Sequence, residues 1–389
     1  MIVGASVLQL PAILKAKEMG LYVAVVDFNP HAVGIPFADA YFNASTMDED
    51  AVVAAAEVFD PDGIMTLATD MPMRGVAKAS DKLHLHSISY DTAVRATDKY
   101  EMIKAFKEQG VPSPWFFAVD SYVELKEYLE EVTFPCIIKP TDNAGSHGVV
   151  KVYSSQELLD SYEYARSFSR TGKVIIEEYL DGPEVSVEVM VAYGEVSILQ
   201  ITDKITTDAP HFVEMGHTQP SQLPLAIQVA IRKVAVEACK AIGINKGPAH
   251  VEMKITQRGP VMIELGARMG GDNITTHLVP LSTGIDMVGA TIRVALGEEP
   301  DIKPKLQCGS AIRYFDVPFG TIMSINGVKE AMTIPGVRQI TFTKEVGEES
   351  TSISCSNDRI GYVIAQGATA LDAIKSCEKA MKKIEIDIR

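Results

Sequence analysis

The chain is 389 residues long, with 47% hydrophobic residues, 22% charged residues and a net charge of -15. That length allows two or three domains with a substantial core, and the balance is that of a globular protein without a disordered bias. The acid excess excludes a general attraction for polyanions, so nucleic acid is not an expected partner, although one phosphate site needs only a few local cations.

Residues 1–90 alternate short apolar runs with helix-period stretches. Strands are expected over 2–4 and 22–27 with a helix over 8–19 between them, then a helix over 50–59 and a strand over 63–67. This is the pattern of a parallel βαβαβ unit. The opening strand is short, which leaves open whether the natural start is longer. Met1-Ile2-Val3-Gly4 has neither a basic stretch nor a long apolar one after it, so no secretion signal is expected. No uninterrupted apolar run approaches bilayer-spanning length. The five cysteines (Cys136, Cys239, Cys308, Cys355, Cys377) are scattered with no C-x-x-C pair. They are expected to be buried thiols in a reducing cytosol, making the chain soluble and cytoplasmic.

From Thr97 the pattern changes. Thr97-Asp98 can cap a helix running through Gln109, which Gly110 ends and Pro112 keeps ended. Strand pairs joined by glycine-rich turns follow: 136–139 with 149–153, and 185–192 with 196–201. A helix is expected over 225–242, then a strand pair over 249–255 and 261–265 before the glycine-rich segment 266–271. Short strands around 310–315, 352–356 and 360–366 precede a closing helix over 370–384. The expected organisation is an N-terminal α/β domain (1–95), a central α+β body (96–300) and a C-terminal α+β cap (301–389).

Four places carry candidate chemistry. In Phe134-Pro-Cys-Ile-Ile-Lys139-Pro140-Thr-Asp-Asn-Ala-Gly145-Ser146-His147-Gly148, a strand delivers Lys139 and a loop returns into a second strand. Backbone N–H groups in such a loop can surround phosphate oxygens while the lysine neutralises their charge. A Walker A loop runs the other way, from glycines to lysine into a helix. A plain hairpin with a surface lysine fits these residues equally. Next, His250-Val251-Glu252-Met253-Lys254 and Val261-Met262-Ile263-Glu264-Leu265 flank the turn Gln257-Arg258-Gly259. If Thr256 pairs with Pro260 across this three-residue loop, with Gly259 left-handed, Glu252 and Glu264 fall opposite each other on one face. Two such carboxylates repel unless a cation sits between them, and hard oxygen ligands suit Mg²⁺. Solvent-facing glutamates are the plain alternative.

Third, Val174-Ile-Ile-Glu177-Glu178-Tyr179-Leu180 with Glu184 is an apolar strand ending in acids, whose edge can meet a base and whose acids can take ribose hydroxyls; acid-rich strand ends are also common on surfaces. Fourth, Arg268, just past the Glu264 strand, can grip a phosphoryl oxyanion in bidentate fashion or form a structural salt bridge. Lys99 lies in a first helical turn, where a cation is poorly placed against the macrodipole; that cost hints at another task beside the surface alternative. No G-x-G-x-x-G, H-E-x-x-H or G-x-S-x-G occurs, and His250-x-Glu252 is not followed by P-C-x-x-C.

In their order, these segments resemble the ATP-grasp superfamily, closest to the branch of the carbamoyl-phosphate synthetase large chain, biotin carboxylase and L-amino-acid ligases. The resemblance runs from Thr97-Asp98-Lys99 through Ile138-Lys139-Pro140, Ile176-Glu-Glu-Tyr-Leu180, Gly247-Pro-Ala-His-Val-Glu252, Ile263-Glu264-Leu-Gly-Ala-Arg268 and Thr283-Gly-Ile-Asp286 to Gly361-Tyr-Val-Ile. It implies an ATP-grasp fold: a Rossmann-like parallel sheet, a two-lobed ATP-grasp body with a flexible lobe over about 115–182, and a C-terminal α+β cap. It further implies that Lys99 and Lys139 contact ATP phosphates under a mobile flap of Gly145, Ser146, His147 and Gly148. Glu177, Glu178, Tyr179 and Leu180 would frame adenine and Glu184 the ribose. Glu252 and Glu264 would hold Mg²⁺ (or Mn²⁺), and Arg268 would face the reacting phosphoryl group. His217, Gly270, Gly271 and Asp272 would lie on the substrate side. Many members carry Asn where this chain has Gly266, so one ligand of a second Mg²⁺ would be missing or replaced by water.

The implied function is an ATP-dependent, ADP-forming ligase. It would phosphorylate a small carboxylate, with an amino acid the expected one, and pass the acyl group to an amine or thiol, in a homodimer without nucleic-acid or membrane partners. The alternatives are a bicarbonate-activating carboxylase or carbamoyl-phosphate-type enzyme, and a nucleotide-binding subunit without turnover.

Overall fold

The computed structural model describes residues 1–389 apart from Ala144, Ser146 and 208–210. The first sheet has three parallel strands in the order β1 (Ile2–Val3), β2 (Ala24–Asp27), β3 (Ala40–Asn43), of which the apolar runs β1 and β2 are buried on both faces. Helices Leu10–Glu18 and Glu49–Phe59 connect and cover them. The strand expected over 63–67 is reduced to one parallel bridge between Ile2 and Met65. Its ladder stops because Ala68, at φ +62°, turns the chain away from the sheet. The third strand, β3, went unforeseen; its half-exposed residues show no alternation.

Helix Lys99–Glu108 starts as its capping residues predict. Asp98 accepts hydrogen bonds from the backbone N–H groups of Tyr100 (3.0 Å) and Glu101 (3.2 Å). Beyond it an antiparallel sheet forms from β4 (Phe116–Val119), β5 (Cys136–Pro140), β6 (Val150–Val152) and β7 (Val174–Glu178), in the order β4-β7-β5-β6. Helix Ser155–Ser167, which was not expected, buries Leu158, Tyr162 and Ala165 against it.

Eleven strands follow. The first are β8 (Glu184–Ala192), β9 (Glu195–Thr206), β10 (Glu214–Gln219), β11 (Gly247–Thr256) and β12 (Gly259–Gly266). The last are β13 (Gly309–Tyr314), β14 (Gly320–Asn326), β15 (Val337–Phe342), β16 (Glu349–Ser350), β17 (Gly361–Gly367) and β18 (Glu385–Ile388). Eight of these form the large sheet, in the order β12-β11-β8-β9-β10-β13-β17-β15, and β16-β14-β18 make a small separate sheet. Helix Leu225–Ile242 lies on the large sheet and packs Ile231, Val234, Ala235 and Ala238 against Val187, Val189 and Val251. The strand expected over 352–356 does not form. Asp358 takes the backbone N–H groups of Ser354 and Cys355 (each 2.9 Å) and closes a turn at Ser356–Asp358 instead.

Gly182 joins the β7 sheet to β8 at φ +135°, and a Cβ there would lie 2.1 Å from the carbonyl oxygen of Ile255. Gly182→Ala should therefore destabilise the chain by at least about 1–3 kcal/mol, read as a lowered urea midpoint; an unchanged midpoint would mean that this junction yields freely.

All five cysteines are free thiols. Cys136, Cys239 and Cys377 are buried as expected, whereas Cys308 and Cys355 are only half-buried, since both lie in connections outside the strands. Among the described residues, no single helix is long and apolar enough to cross a membrane.

Candidate active site

The β5–β7 sheet and the β11–β12 end of the large sheet enclose an open cleft of about 960 Å³, its mouth included. Ile137, Val149, Leu180, Phe212, Met262 and Ile263 give it apolar walls, and Lys99, Lys139 and Lys254 bring cations to it. Flat apolar walls with a few convergent charges suit a nucleotide.

The hairpin β11–β12 places the two acids. Its ladder begins with Thr256 opposite Gly259, so the connection is the two-residue turn Gln257-Arg258 and not the expected three-residue loop. The register then shifts at Ile263, and Glu252 comes to lie opposite Glu264. The bulge that absorbs Ile263 is what keeps both on one face. Met253 and Met262 pair toward the core, as do Val251 and Leu265, while Glu252, Ile263 and Glu264 face the cleft. Gly259 has the positive φ expected of it, +97°.

Each acid is held by cations. Lys99, which is buried, donates from Nζ to Glu264 Oε1 (2.9 Å) and to the carbonyl of Asn143 (2.7 Å). Burial works against the Lys99 charge, but Glu264, with Asp70 and Glu177 behind it, holds its pKa above the ordinary lysine value. Glu252 Oε1 accepts from Lys204 Nζ (2.6 Å) and lies 3.1 Å from His250 Nε2. Although burial opposes its ionisation, Lys204 and His250 keep Glu252 well below the usual carboxylate range. Lys204 also meets Glu184 (2.7 Å) and Glu214 (3.3 Å). On its other side, His250 Nδ1 lies 2.9 Å from Oε1 of the fully buried Glu188; burial disfavours its charge, yet the two glutamates raise its pKa to about 9. Paired carboxylates on one face beside two buried lysines match the hard-oxygen preference of Mg²⁺.

The remaining expected residues distribute as follows. Lys139 is buried against Glu177 (Nζ to Oε1 2.5 Å), so Glu177 meets the lysine in the wall of the cleft. Glu178 takes Arg258 Nη2 on both oxygens (2.8 Å each), tying β7 to the hairpin turn. Tyr179 carries Lys151 over its ring, 3.4 Å from the centroid. Glu184 binds Lys204 and Lys254 (3.1 Å to the latter). Gly145 and Gly148 are left-handed, at φ +71° and +76°, and His147 stacks on Phe168. Ser146 lies outside the described residues. Arg268 is not among the described residues lining this cleft. Its guanidinium forms a bidentate pair with Asp70.

His217, Gly270, Gly271 and Asp272 gather around a second cavity. His217 Nε2 lies 3.3 Å from Asp272 Oδ2, and its buried Nδ1 has no hydrogen-bond partner among the described residues. Asp272 is clamped by Arg359 through both oxygens (2.6 and 2.8 Å), and Arg359 covers the Tyr314 ring at 3.8 Å. Gly270, Gly271, Asp272, Tyr314 and Arg359 all line this cavity. Gly270 admits no side chain, since a Cβ would lie 2.5 Å from His250 Nδ1.

Sequence reasoning missed Lys204, Glu188, Asp70 and Arg359. The first two become visible only with the strand order β11-β8-β9, which sets Glu184 beside both Lys254 and Lys204. Asp70 and Arg359 come from opposite ends of the chain and carry no spacing signal.

Residues 132–277 match the family described as ATP-grasp domain, and residues 313–389 match L-amino acid ligase C-terminal domain 2. A curated relative, alanine–anticapsin ligase of Bacillus subtilis (strain 168), is 27% identical over 323 residues, covering 77% of this chain and 67% of that enzyme. The solved structure of L-amino acid ligase from Bacillus licheniformis aligns with a TM-score of 0.85 at 23% identity, over 100% of this chain and 98% of that one. The biotin carboxylase domain of Hydrogenobacter thermophilus 2-oxoglutarate carboxylase, solved with MgADP, ADP and bicarbonate, aligns with a TM-score of 0.77 at 19% identity, over 100% of this chain and 90% of that one.

Proposed function

This chain belongs to the ATP-grasp superfamily, and on that premise we propose that it is an ADP-forming ligase that joins a small carboxylate, an amino acid among the candidates, to an amine through an acyl phosphate. The observation that carries this reading is the pairing of Glu252 with Glu264 on the floor of a cleft that also receives Lys99 and Lys139. Those are the groups that a polyphosphate and its divalent ion require.

The substrate carboxylate attacks the γ-phosphorus of ATP; the bond to the β-phosphate oxygen breaks and ADP leaves. The amine nitrogen then attacks the acyl carbon, phosphate departs, an amide bond forms and a proton is lost from nitrogen. Phosphoryl transfer asks the protein for position and charge neutralisation, not for a nucleophilic side chain. Lys99 and Lys139 supply fixed positive charge, each already oriented by a carboxylate (Glu264 and Glu177). Glu252 and Glu264 would hold Mg²⁺, or Mn²⁺ in its place, which neutralises phosphate charge when bound. Gly145, His147 and Gly148, closing over the phosphates, would keep water from the acyl phosphate. The second cavity, between Asp272–Arg359 and Tyr314, is on the acceptor side in this reading. The alanine–anticapsin ligase relative supports a carboxylate–amine reaction. We place the protein in the cytoplasm, on its free thiols, and as a homodimer.

The test is ADP and phosphate release from Mg²⁺ and ATP with pools of amino acids, followed by mass detection of the product. Release that depends on an amino acid pair and yields a dipeptide-type product is expected. Release driven by bicarbonate alone would favour carboxyphosphate chemistry, and ATP binding without any stimulated release would favour a subunit without turnover.

A further inference from the structure

After the bridge to β1, the segment Leu67-Ala68-Thr69-Asp70 carries a carboxylate out of the N-terminal sheet region to the end of β12. The left-handed Ala68 (φ +62°) costs on the order of 1 kcal/mol or more, and such backbone is kept where a side chain must be aimed. Asp70 is 7% exposed. Its Oδ1 accepts from Arg268 Nε at 3.0 Å and its Oδ2 from Arg268 Nη2 at 2.8 Å. The pair fills a space that only glycine leaves. A Cβ on Gly266 would lie 2.6 Å from Asp70 Oδ1 and 3.0 Å from Arg268 Nε. Asp70 shares a smaller cavity with Lys99 and Glu264, so the clasp borders the paired-acid end of the cleft.

We infer that Asp70 is a positioning residue for phosphoryl transfer, fixing the Arg268 guanidinium in the space that Gly266 leaves open. This rests on the ligase reading above, together with the role at the reacting phosphoryl group that the family resemblance implies for Arg268. A guanidinium is a planar fork, and two parallel hydrogen bonds to one carboxylate fix its plane as well as its position. An arginine that must meet charge only as it develops is effective when it is set beforehand. The aim comes from another part of the chain: Arg268 follows β12, but the carboxylate that orients it belongs to the N-terminal region. Gly266 is then a requirement of the clasp, because a larger residue displaces Asp70 Oδ1.

The experiment compares binding of Mg²⁺ and ADP with binding of Mg²⁺, ADP and beryllium fluoride, which places a phosphoryl-like group beyond the β-phosphate. Calorimetry on the full chain reads both. The wild type should bind ADP and gain affinity with fluoride. Asp70→Asn should keep its ADP affinity and lose about ten- to a hundred-fold of the fluoride gain. Gly266→Ala, whose methyl group intrudes on the pair, should show the same split, and it decides the matter should Asp70→Asn fail to fold. The double variant Asp70→Asn/Arg268→Gln should lose no more of the gain than Arg268→Gln alone, as expected of residues acting as one unit. A fluoride gain in Asp70→Asn equal to or above that of the wild type overturns the inference. A wild-type chain that binds no ADP overturns the ligase reading instead.

Discussion

Glu264→Ala is expected to bring substrate-dependent ADP release down to background, a loss of at least about a hundred-fold. Glu264 answers two demands at once. It is the partner of Glu252 across the hairpin, and it is the carboxylate that holds the buried Lys99 at 2.9 Å. Alanine there removes half of the oxygen pair and lets the lysine swing from the position in which it would meet phosphate. The measurement is ADP formation with whichever substrate pair the screen identifies, on protein shown by circular dichroism to be folded. Turnover at the wild-type rate would remove the paired acids from the mechanism.

The largest effect on stability should come from Lys204→Met. Lys204 is only 2% exposed at its side chain and stands among Glu184 (2.7 Å), Glu252 (2.6 Å) and Glu214 (3.3 Å). Burial alone would drive off its proton, but those carboxylates raise its pKa well above the usual lysine value. Methionine keeps the length of the stem and leaves the carboxylates facing one another, with Lys254 compensating Glu184 alone. Breaking a buried ion pair from one side costs about 3–5 kcal/mol, which urea unfolding near neutral pH should show. The sign of the pH dependence follows from the carboxylates. Glu184 and Glu252 are held below their ordinary value of 4.5, so their pairing stabilises above that pH and is lost as pH falls. The gap between wild type and variant should therefore narrow below about pH 4.5. An equal midpoint at neutral pH would mean that the cluster does not depend on its lysine.

What could be read in the sequence follows the range of the interactions involved. Local signals carried well: Asp98 before an apolar helix, the helix Leu225–Ile242, and the strand pairs on either side of Lys139 and of Gly259 all form where their residues indicate. The Glu252–Glu264 pairing was also legible, though for a partly wrong reason, since a bulge at Ile263 and not the length of the turn sets it. Elements without a clear period, such as β3 and the half-exposed β14 and β15, left no such trace. The cations behind the acids were invisible for another reason. Lys204 looks like any lysine until β9 is laid beside β8 and β8 beside β11. Asp70 reaches Arg268 across 198 positions of sequence, and no one-dimensional pattern records that contact.

The extra residue at Ile263 makes the floor of the cleft a matter of parity. Strand side chains alternate, so if the ladder ran on past Met262 without a bulge, Glu264 would fall opposite Val251 and turn toward the core. Losing Ile263 would straighten the ladder and still set Glu264 opposite Glu252. Gaining one residue between Gly259 and Glu264 would instead carry the carboxylate past Glu252 to the core face. Substitution or loss at Ile263 is therefore far easier to accommodate than insertion, and drift in this hairpin should not lengthen it.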